Sequence, residues 1–281
     1  MTRILGLGDN TIDTYVDAGV QYPGGNAVNV AAMTARLGAT SAYLGCVGDD
    51  EGGRLIRDAL VAEGVDVSHM RTRRGANARA FIGHVAGDRQ FIRSTPGVRA
   101  DYRWADDDFA YVATFDHVHT SIYSDLGETL PRIAEGVRSL SFDASNRWTA
   151  DYLRQVLPHV RFVFLSASEL SGEEAMAVAE ECLTLGPEAV VLTRGGEGAL
   201  GADAHGPVLQ PALPTAVVDT LGAGDGFISG SLTALLAGAS LKDAMMRGAE
   251  FAAQVCSWPG GFGHSAPWLG DPTEVRPAAA Q

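Results

Sequence analysis

A chain of 281 residues with 46% hydrophobic and 20% charged residues has room for one large α/β domain or two smaller ones. The chain has a formal net charge of −13 and lacks the clustered positive charge of proteins that bind nucleic acid or anionic lipid. No run approaches the roughly 18 to 20 apolar residues of a membrane helix. Three scattered cysteines at no metal-ligand spacing indicate a reduced, cytoplasmic protein. The composition therefore excludes nucleic-acid and membrane partners, while a nucleotide substrate stays compatible with it, because one local site and a metal ion can outweigh an acidic surface.

Apolar strand-like runs alternate with helix-like runs along most of the chain, which is typical of a mainly parallel sheet covered by helices. The predicted strands are 3–8, 41–47, 117–121, 139–143, 162–165, 189–193 and 216–219. The predicted helices are 26–37, 51–63, 128–138, 150–157 and 173–185, followed by one with an apolar face over 228–239 and a last one capped by Ser240. Gly38 sits at a left-handed cap position.

Residues 75–97 break this rhythm and predict a β-hairpin, with strands at 78–85 and 89–93 and a turn at Gly87-Asp88. A hairpin alone has too little core to be stable. We expect it to pair with a strand at 14–20, giving a lid sheet from about 14–22 and 75–97 on a single domain of residues 1–270. A tail of 271–281, rich in Pro and Ala, is predicted to be flexible.

A glycine-rich turn near the C-terminus carries the strongest chemical signal. Gly222, Ala223 and Gly224 precede Asp225, and an amphipathic helix begins there. Unpaired amides at a helix start bind anions, and glycines let a phosphate approach the backbone. A carboxylate beside a phosphate site makes sense mainly as a base that takes a proton from an attacking hydroxyl. Alternatively, Asp225 only caps the helix and the glycines only form a tight turn.

Two earlier segments offer groups that suit a polyol. Asp9 and Asp13 follow the first strand, where ligands bind in open α/β sheets; they also fit an ordinary polar turn. Gly25 precedes Asn26 and Asn29, which lie one helical turn apart and carry both donors and acceptors. The alternative for Asn26 is a plain N-cap.

Other patterns are weaker or absent. The stretch 193–198 follows a strand and suits either a nucleotide-side loop or a hairpin turn. The chain has no Walker G-x-x-x-x-G-K-[ST], no Gly-x-Ser-x-Gly elbow and no complete dinucleotide fingerprint, since Thr11 stands where the third glycine would be. His117 and His119 alternate on a strand without zinc-site spacing and are interpreted as structural.

Together and in this order, the segments resemble the PfkB/ribokinase family of carbohydrate kinases, from Gly8 to about Ser265. The resemblance rests on Gly-Gly-Asn-Ala-Val-Asn-Val-Ala at 24–31, Asp-Thr-Leu-Gly-Ala-Gly-Asp at 219–225 and Gly-Cys-Val-Gly-Asp-Asp-Glu-Gly at 45–52. It implies a ribokinase-like three-layer α/β/α, Rossmann-like domain with a small β-sheet lid. It also implies an ATP-dependent kinase acting on a small sugar-like hydroxyl compound with Mg²⁺, in several members with K⁺.

Roles carry over to the matching positions as what the resemblance implies. Asp225 matches the catalytic base, and the amides of Gly222, Ala223 and Gly224 match the anion hole. Substrate-contacting positions are Asp13, Gly25, Asn26 and Asn29, to which Asp9 is added from its place after the first strand; nucleotide-side positions are Thr193, Gly195 and Gly198. Asp219, Leu221 and Ser265 match the region of a monovalent cation. In the magnesium-linked N-x-x-E motif Glu169 is kept, but Ser166 replaces the Asn.

Within the family, the amino-acid sequence at 8–13, 141–148 and 166–168 is similar to that of fructoselysine 6-kinases, including the absence of the Asn at 166. This similarity predicts 6-phosphorylation of fructoselysine or a related fructosamine, whose amino groups would pair with Asp9, Asp13 or another acid on the lid side. Kinases of a ketogluconate, ribose, fructose or a nucleoside remain alternatives, as does a catalytically silent sugar- or nucleotide-binding regulator. A homodimer through the lid is also expected, because a projecting sheet needs cover.

Overall fold

The computed structural model describes residues 2–85, 88–271 and 275, with side chains omitted at 84–85 and 88–90. Its strands are β1 Arg3–Leu7, β2 Thr11–Tyr15, β3 Val20–Gly24, β4 Thr40–Leu44, β5 Cys46–Gly48, β6 Arg71–Arg73, β7 Arg79–Val85, β8 Asp88–Thr95, β9 His117–Ser121, β10 Leu140–Asp143, β11 Phe162–Ser166, β12 Ala189–Thr193, β13 Ala199–Asp203, β14 Gly206–Gln210 and β15 Ala266–Pro267. Its α-helices are α1 Asn26–Arg36, α2 Glu51–Ala62, α3 Asp106–Val112, α4 Leu130–Gly136, α5 Ala150–Val156, α6 Gly172–Leu183, α7 Ala223–Leu236 and α8 Leu241–Val255.

The main sheet has eight strands in the order β14-β13-β12-β11-β10-β9-β1-β4. The six strands from β12 to β4 are parallel, and β13 and β14 extend the sheet as an antiparallel edge. Because parallel strands share one direction, their carboxyl ends meet at a single edge. That edge is where an open α/β sheet binds its ligands.

Buried side chains alternate along the strands and join a helix layer on each face. On β11, Val163 and Leu165 belong to the core beneath α3 to α6, whereas Phe162 and Phe164 face the core of α7 and α8. This period of two is what a sheet covered on both sides requires. The predicted three-layer α/β/α fold is therefore confirmed.

A second sheet has five strands in the order β15-β3-β2-β7-β8. The predicted hairpin is present as β7 and β8, and β2 pairs with β7 in parallel. The single strand predicted at 14–20 is wrong, because the chain turns at 16–19 and forms two strands, β2 and β3. The predicted turn at Gly87-Asp88 lies partly, and the predicted tail almost wholly, outside the described residues.

Several predicted boundaries need correction. The strand predicted at 216–219 is absent; Val217 and Val218 are each 62% exposed, and the amides of Val218 and Asp219 donate to the carbonyl oxygen of Cys256 after α8. The β-branched Val217 and Val218 have strand propensity, but no strand among the described residues lies beside them. The edge hairpin of β13 and β14 was not predicted.

Two predicted elements are each divided in the structure. The strand predicted at 41–47 is interrupted at Gly45, because β4 joins the main sheet and β5 pairs with β6. The helix predicted at 128–138 is a 3₁₀ turn, Gly127–Thr129, followed by α4. The short helix α3 was not predicted. No helix in the described part of the chain has the length and apolar character to cross a membrane.

Candidate active site

Asp225 lies in the first turn of α7 and is held by two amides from α1. Its carboxylate oxygens accept hydrogen bonds from Asn26 Nδ2 at 2.7 Å and from Asn29 Nδ2 at 2.6 Å. Positions 26 and 29 are one helical turn apart, so both amides point from the same face of α1. The arrangement fixes the orientation of the carboxylate at the ligand-binding edge of the main sheet.

The glycine turn shapes the N-terminus of α7. Gly222 is the N-cap residue in a left-handed conformation with φ of 77°, and a Cβ there would lie 2.7 Å from Gly261 Cα. The amide of Ala223 donates to the Thr220 carbonyl oxygen at 3.2 Å. Above Gly224 the space is open, since an added Cβ would meet nothing within 4 Å. An anion can therefore approach the first-turn amides at Gly224.

Asp9 is deeply buried, and its carboxylate is held within the protein. Asp9 Oδ1 accepts from Ser121 Oγ at 2.8 Å, from Ser124 Oγ at 3.0 Å and from the Ala27 amide at 3.3 Å. These contacts join the ends of β1 and β9 to the start of α1. A polar turn was the alternative interpretation of this segment, and Asp9 indeed organises the turn.

Asp13 lies on β2, in the second sheet, and is 5% exposed. Its carboxylate covers Gly24, where a Cβ would come within 2.0 Å of Asp13 Oδ2. Gly25 has φ of 102°, and a Cβ there would lie 2.6 Å from Asn10 Cα. Glycine is thus required at both positions by close packing, and Asp13 is brought to the loop that precedes α1.

A buried chain of hydrogen bonds supports Asn26 from below. Asn26 Nδ2 also donates to Asp143 Oδ2 at 3.1 Å, and Asn26 Oδ1 lies 2.9 Å from His119 Nε2. Because Asn26 Nδ2 serves carboxylates, its Oδ1 must accept, and His119 carries its proton on Nε2. His119 Nδ1 then accepts from Ser141 Oγ at 2.7 Å, and Ser141 Oγ accepts from His117 Nε2 at 2.8 Å.

Burial changes the protonation behaviour of this cluster. It lowers the pKa of His119 to about 3, so the imidazole stays neutral. Burial, followed by the charge of Asp225, raises the pKa of Asp143 to about 8. Burial raises the pKa of Asp225 to about 6, although the amides of Asn29 and Asn26 act in the opposite direction. Near neutral pH the two neighbouring carboxyl groups thus differ, with Asp225 ionised and Asp143 protonated.

The positions predicted for the nucleotide side form an open loop after β12. Thr193 Oγ1 donates to the Leu165 carbonyl oxygen at 3.3 Å, and Gly195 and Gly198 have φ of 56° and 95°. Gly195 is exposed, and a Cβ there would meet nothing within 4 Å, whereas one at Gly198 would strike the Gln210 carbonyl oxygen. Glu169 lies exposed in the turn that follows β11. This turn and loop border the same edge of the sheet, one and two strands beyond β10 respectively.

The region predicted for a monovalent cation is only partly assembled. Asp219 accepts from the Leu221 amide at 2.9 Å, from the Gly260 amide at 3.1 Å and from the Tyr15 hydroxyl. Ser265 is exposed just before β15, beside the second sheet. Over the described ranges, no group of three or more His, Cys, Asp or Glu is placed to hold a metal ion.

Sequence reasoning missed the supporting residues Asp143, His119 and Ser141 as parts of the site. The sequence indicated that the histidines are structural, but it did not indicate which residues they contact. The signal was present: alternating polar residues at 117–121 and 139–143 in strands that should be buried on both faces. Buried polar groups need partners, so two adjacent polar strands predict a shared network.

The fold and this site define a class, and the comparison with family models identifies it. The pfkB family carbohydrate kinase model matches residues 5–267, so the chain belongs to that family. The predicted enzyme class, an ATP-dependent carbohydrate kinase, is thereby confirmed. The ribokinase fold is confirmed by the Arabidopsis thaliana ribokinase complexed with ribose and ATP, with a TM-score of 0.82, 21% identity, and coverage of 98% of this chain and 97% of that one.

Among curated relatives, the chain is 38% identical over 270 residues to fructosamine kinase FrlD of Bacillus subtilis, covering 95% of each protein. It is 33% identical over 263 residues to fructoselysine 6-kinase of Shigella flexneri, covering 93% of this chain and all of that protein. The predicted resemblance to fructoselysine 6-kinases is therefore confirmed.

Proposed function

We propose that this protein transfers the γ-phosphoryl group of ATP to the 6-hydroxyl of a fructosamine such as fructoselysine, with Asp225 as the general base. The observation that carries the proposal is the carboxylate of Asp225, fixed by Asn26 and Asn29 beside the glycine turn of α7. The names of two relatives, which cover most of the chain, supply the acceptor class.

In this mechanism, Asp225 takes the proton of the attacking hydroxyl. A pKa of about 6 leaves it ionised at neutral pH, yet still basic enough to accept the proton. The amides of Gly222, Ala223 and Gly224 would stabilise the charge on the transferred phosphoryl oxygens; the Ala223 amide, which donates to the Thr220 carbonyl oxygen, would share its hydrogen with the phosphoryl group. The protonated Asp143 avoids a second negative charge beside Asp225. Asp13, Gly25, Asn26 and Asn29 border the space in which the sugar hydroxyls would lie.

On the nucleotide side, Thr193, Gly195 and Gly198 form the loop against which ATP would bind. When bound with the nucleotide, Mg²⁺ would supply positive charge to the phosphates. Glu169, exposed in its turn, fits an indirect, water-mediated contact with that ion. For K⁺ the fit is poor, because Asp219 already accepts from two backbone amides and a tyrosine hydroxyl. No step in this mechanism involves K⁺.

The test is ADP release from ATP and Mg²⁺ against a panel of fructoselysine, other fructosamines, ribose, fructose, 2-keto-3-deoxygluconate and adenosine. We expect turnover on fructosamines. In Asp225→Asn the base is lost but the shape is kept, so kcat should fall by roughly 10²- to 10⁴-fold. ATP binding, measured by calorimetry, should be retained.

Turnover on another acceptor alone would replace the substrate and keep the kinase. Full activity of Asp225→Asn would refute the base assignment. Absence of turnover together with measurable sugar binding would favour the silent regulator. The cytoplasmic location and the dimer through the second sheet remain predictions, the latter testable by the mass of the protein in solution.

A further inference from the structure

A cavity of about 410 Å³ opens beside Asp9 at the carboxyl ends of the strands. Its walls include Gly8 after β1, Cys46 after β4 and Ser124 after β9. Ser124 Oγ accepts the amide of Asp9 at 3.0 Å. The cavity therefore shares a wall with the acceptor side of the site described above.

The position of the cavity in the sheet separates it from the nucleotide. Its strand-end residues follow β4, β1, β9 and β10, which are neighbours in the sheet. The nucleotide-side loop follows β12, two strands beyond β10. A ligand in this cavity would thus be an extension of the acceptor and not a part of ATP.

Three arginines line the cavity, Arg99, Arg103 and Arg147. Within the residues that the structure describes, none of them forms an ion pair with a carboxylate. Other arginines that the structure describes do so, among them the pairs Arg36–Glu63, Arg71–Asp108, Arg132–Asp106, Arg154–Asp151, Arg161–Glu188, Arg194–Glu197 and Arg247–Glu250. In a chain with net charge −13, three arginines and one aspartate, Asp125, around a single cavity leave an excess of positive charge, which indicates an anionic ligand.

The local geometry leaves guanidinium donors available. Arg99 Nη1 donates to the Tyr123 carbonyl oxygen at 2.6 Å, but its Nε is buried with no hydrogen-bond partner. A buried unsatisfied donor is costly unless a ligand supplies the acceptor. The guanidinium of Arg147 lies 5.8 Å from the ring centroid of Tyr123, which places it along the same wall. Arg103 donates to the Tyr102 carbonyl oxygen at 2.9 Å.

We propose that this cavity binds the carboxylate of the amino acid portion of the acceptor through Arg99, Arg103 and Arg147. This inference rests on the proposed function and deepens it. A free sugar has no anionic group, whereas a fructosamine made from an amino acid carries a carboxylate, which matches the planar fork of arginine. Asp125 also lines the cavity and would face a free ammonium group of the same amino acid.

The cavity is connected to the catalytic cluster. The Tyr123 hydroxyl lies 2.8 Å from Ser145 Oγ, and the Ser145 amide donates to Asp143 Oδ1 at 2.8 Å. Asp143 and Asp225 share the amide of Asn26. Binding of the carboxylate against Tyr123 and Arg147 would therefore position the sugar portion toward Asp225 through one rigid set of contacts.

The experiment compares two acceptors that differ by one group: fructoselysine and its decarboxylated analogue, the fructosamine of cadaverine. The variants are Arg103→Gln and Arg147→Gln, both of exposed residues and so expected to fold, together with Arg99→Gln. Loss of a charge-assisted hydrogen bond should raise KM for fructoselysine by about 10- to 100-fold. Values of kcat/KM for the decarboxylated acceptor should change by less than about threefold. Arg247→Gln, on the outer surface of α8 and paired with Glu250, is the matched control and should leave both acceptors unaffected.

Equal losses on both acceptors, or none, would overturn the inference while leaving the kinase intact. Equal kcat/KM of the unmodified enzyme on the two acceptors would do the same. If no fructosamine reacts but 2-keto-3-deoxygluconate does, the proposed substrate fails. In that case a lower kcat/KM of Arg147→Gln for 2-keto-3-deoxygluconate would support the carboxylate site, and an unchanged kcat/KM would refute it.

Discussion

The two sides of the proposed active site are built differently. On the acceptor side, Asp9, Asp13, Asn26 and Asn29 are all at most 6% exposed, and their side chains are tied into contacts between α1, the strand ends and α7. On the nucleotide side, the loop at 193–198 is partly to fully exposed, and Gly195 and Gly196 border open space. The acceptor side is thus preformed, and small changes there should be costly. The nucleotide side should tolerate the same changes.

The largest difference is expected from a matched pair of glycine substitutions, Gly25→Ala and Gly195→Ala. Both residues have positive φ, but a Cβ at Gly25 would lie 2.6 Å from Asn10 Cα, and one at Gly195 would meet nothing within 4 Å. Gly25, with φ of 102° and ψ of 138°, also occupies a region that is essentially open only to glycine. Thermal unfolding should show a drop in Tm of more than about 10 °C, or no soluble protein, for Gly25→Ala.

Gly195→Ala should be destabilised only by the cost of placing a Cβ in a left-handed conformation, roughly 1 to 2 kcal/mol, which lowers Tm by a few degrees. Its KM for ATP should rise while its KM for the acceptor stays unchanged. Similar Tm values for the two variants would contradict the contrast between the two sides.

A second test removes the amide that links the acceptor-side network, in Asn26→Ala. This change deletes the donor to both Asp225 and Asp143 and leaves Nε2 of His119 without its acceptor. We expect kcat to fall by about 100-fold, because Asp225 keeps only the amide of Asn29 and a base that has lost one of its two orienting hydrogen bonds is poorly aligned with the hydroxyl. Steady-state kinetics at pH 7.5 would measure it. Asn146→Ala, an exposed residue nearby, is the control, and an Asn26 variant with normal kcat would break the argument.

Much of this site could be predicted from the sequence because its motifs are local. Gly25, Asn26 and Asn29 lie together at one helix start, and Gly222 to Asp225 at another, so spacing alone gave both clusters. The hydrogen bonds of Asn26 with Asp143 and His119 could not be predicted, because these partners lie 117 and 93 positions away from Asn26 in the chain. Strand order in the sheet, and not local pattern, brings them together.

The prediction of the fold likewise succeeded where the signal is local and failed where it depends on neighbouring strands. Strands of the parallel core, such as 162–165 and 189–193, were located correctly, because continuous apolar runs are a local signal. The edge hairpin Ala199–Asp203 and Gly206–Gln210 was missed, and the strand at 216–219 was wrong. Both errors concern segments whose structure depends on whether a neighbouring strand is present, and Val217 and Val218 have none.

A third test removes the residue that supports Asn26, in His119→Ala. The imidazole does not reach Asp225; it positions Asn26 by donating to its Oδ1 at 2.9 Å. Without it the amide of Asn26 can rotate, and we expect a loss of about tenfold in kcat with little change in KM for ATP. Ser139→Ala, at the far end of the same chain beyond His117, should cost less than about twofold. A loss as large in Ser139→Ala would indicate general destabilisation instead of positioning of Asn26.

The smallest effect concerns the unmodified enzyme and its pH dependence. A general base must be ionised, so activity should be present above its pKa and lost as pH falls through it. Since burial raises the pKa of Asp225 to about 6, kcat/KM for the acceptor should fall to about half near pH 6, and by about tenfold per unit below it. Asp143 does not obscure this limb, because its pKa of about 8 keeps it protonated throughout the range. The amide of Asn26 lowers the pKa of Asp225, so the limb of Asn26→Ala should shift to higher pH. A profile that is flat to pH 5, or a limb that Asn26→Ala leaves in place, would mean that the titrating base is not the carboxylate held by α1.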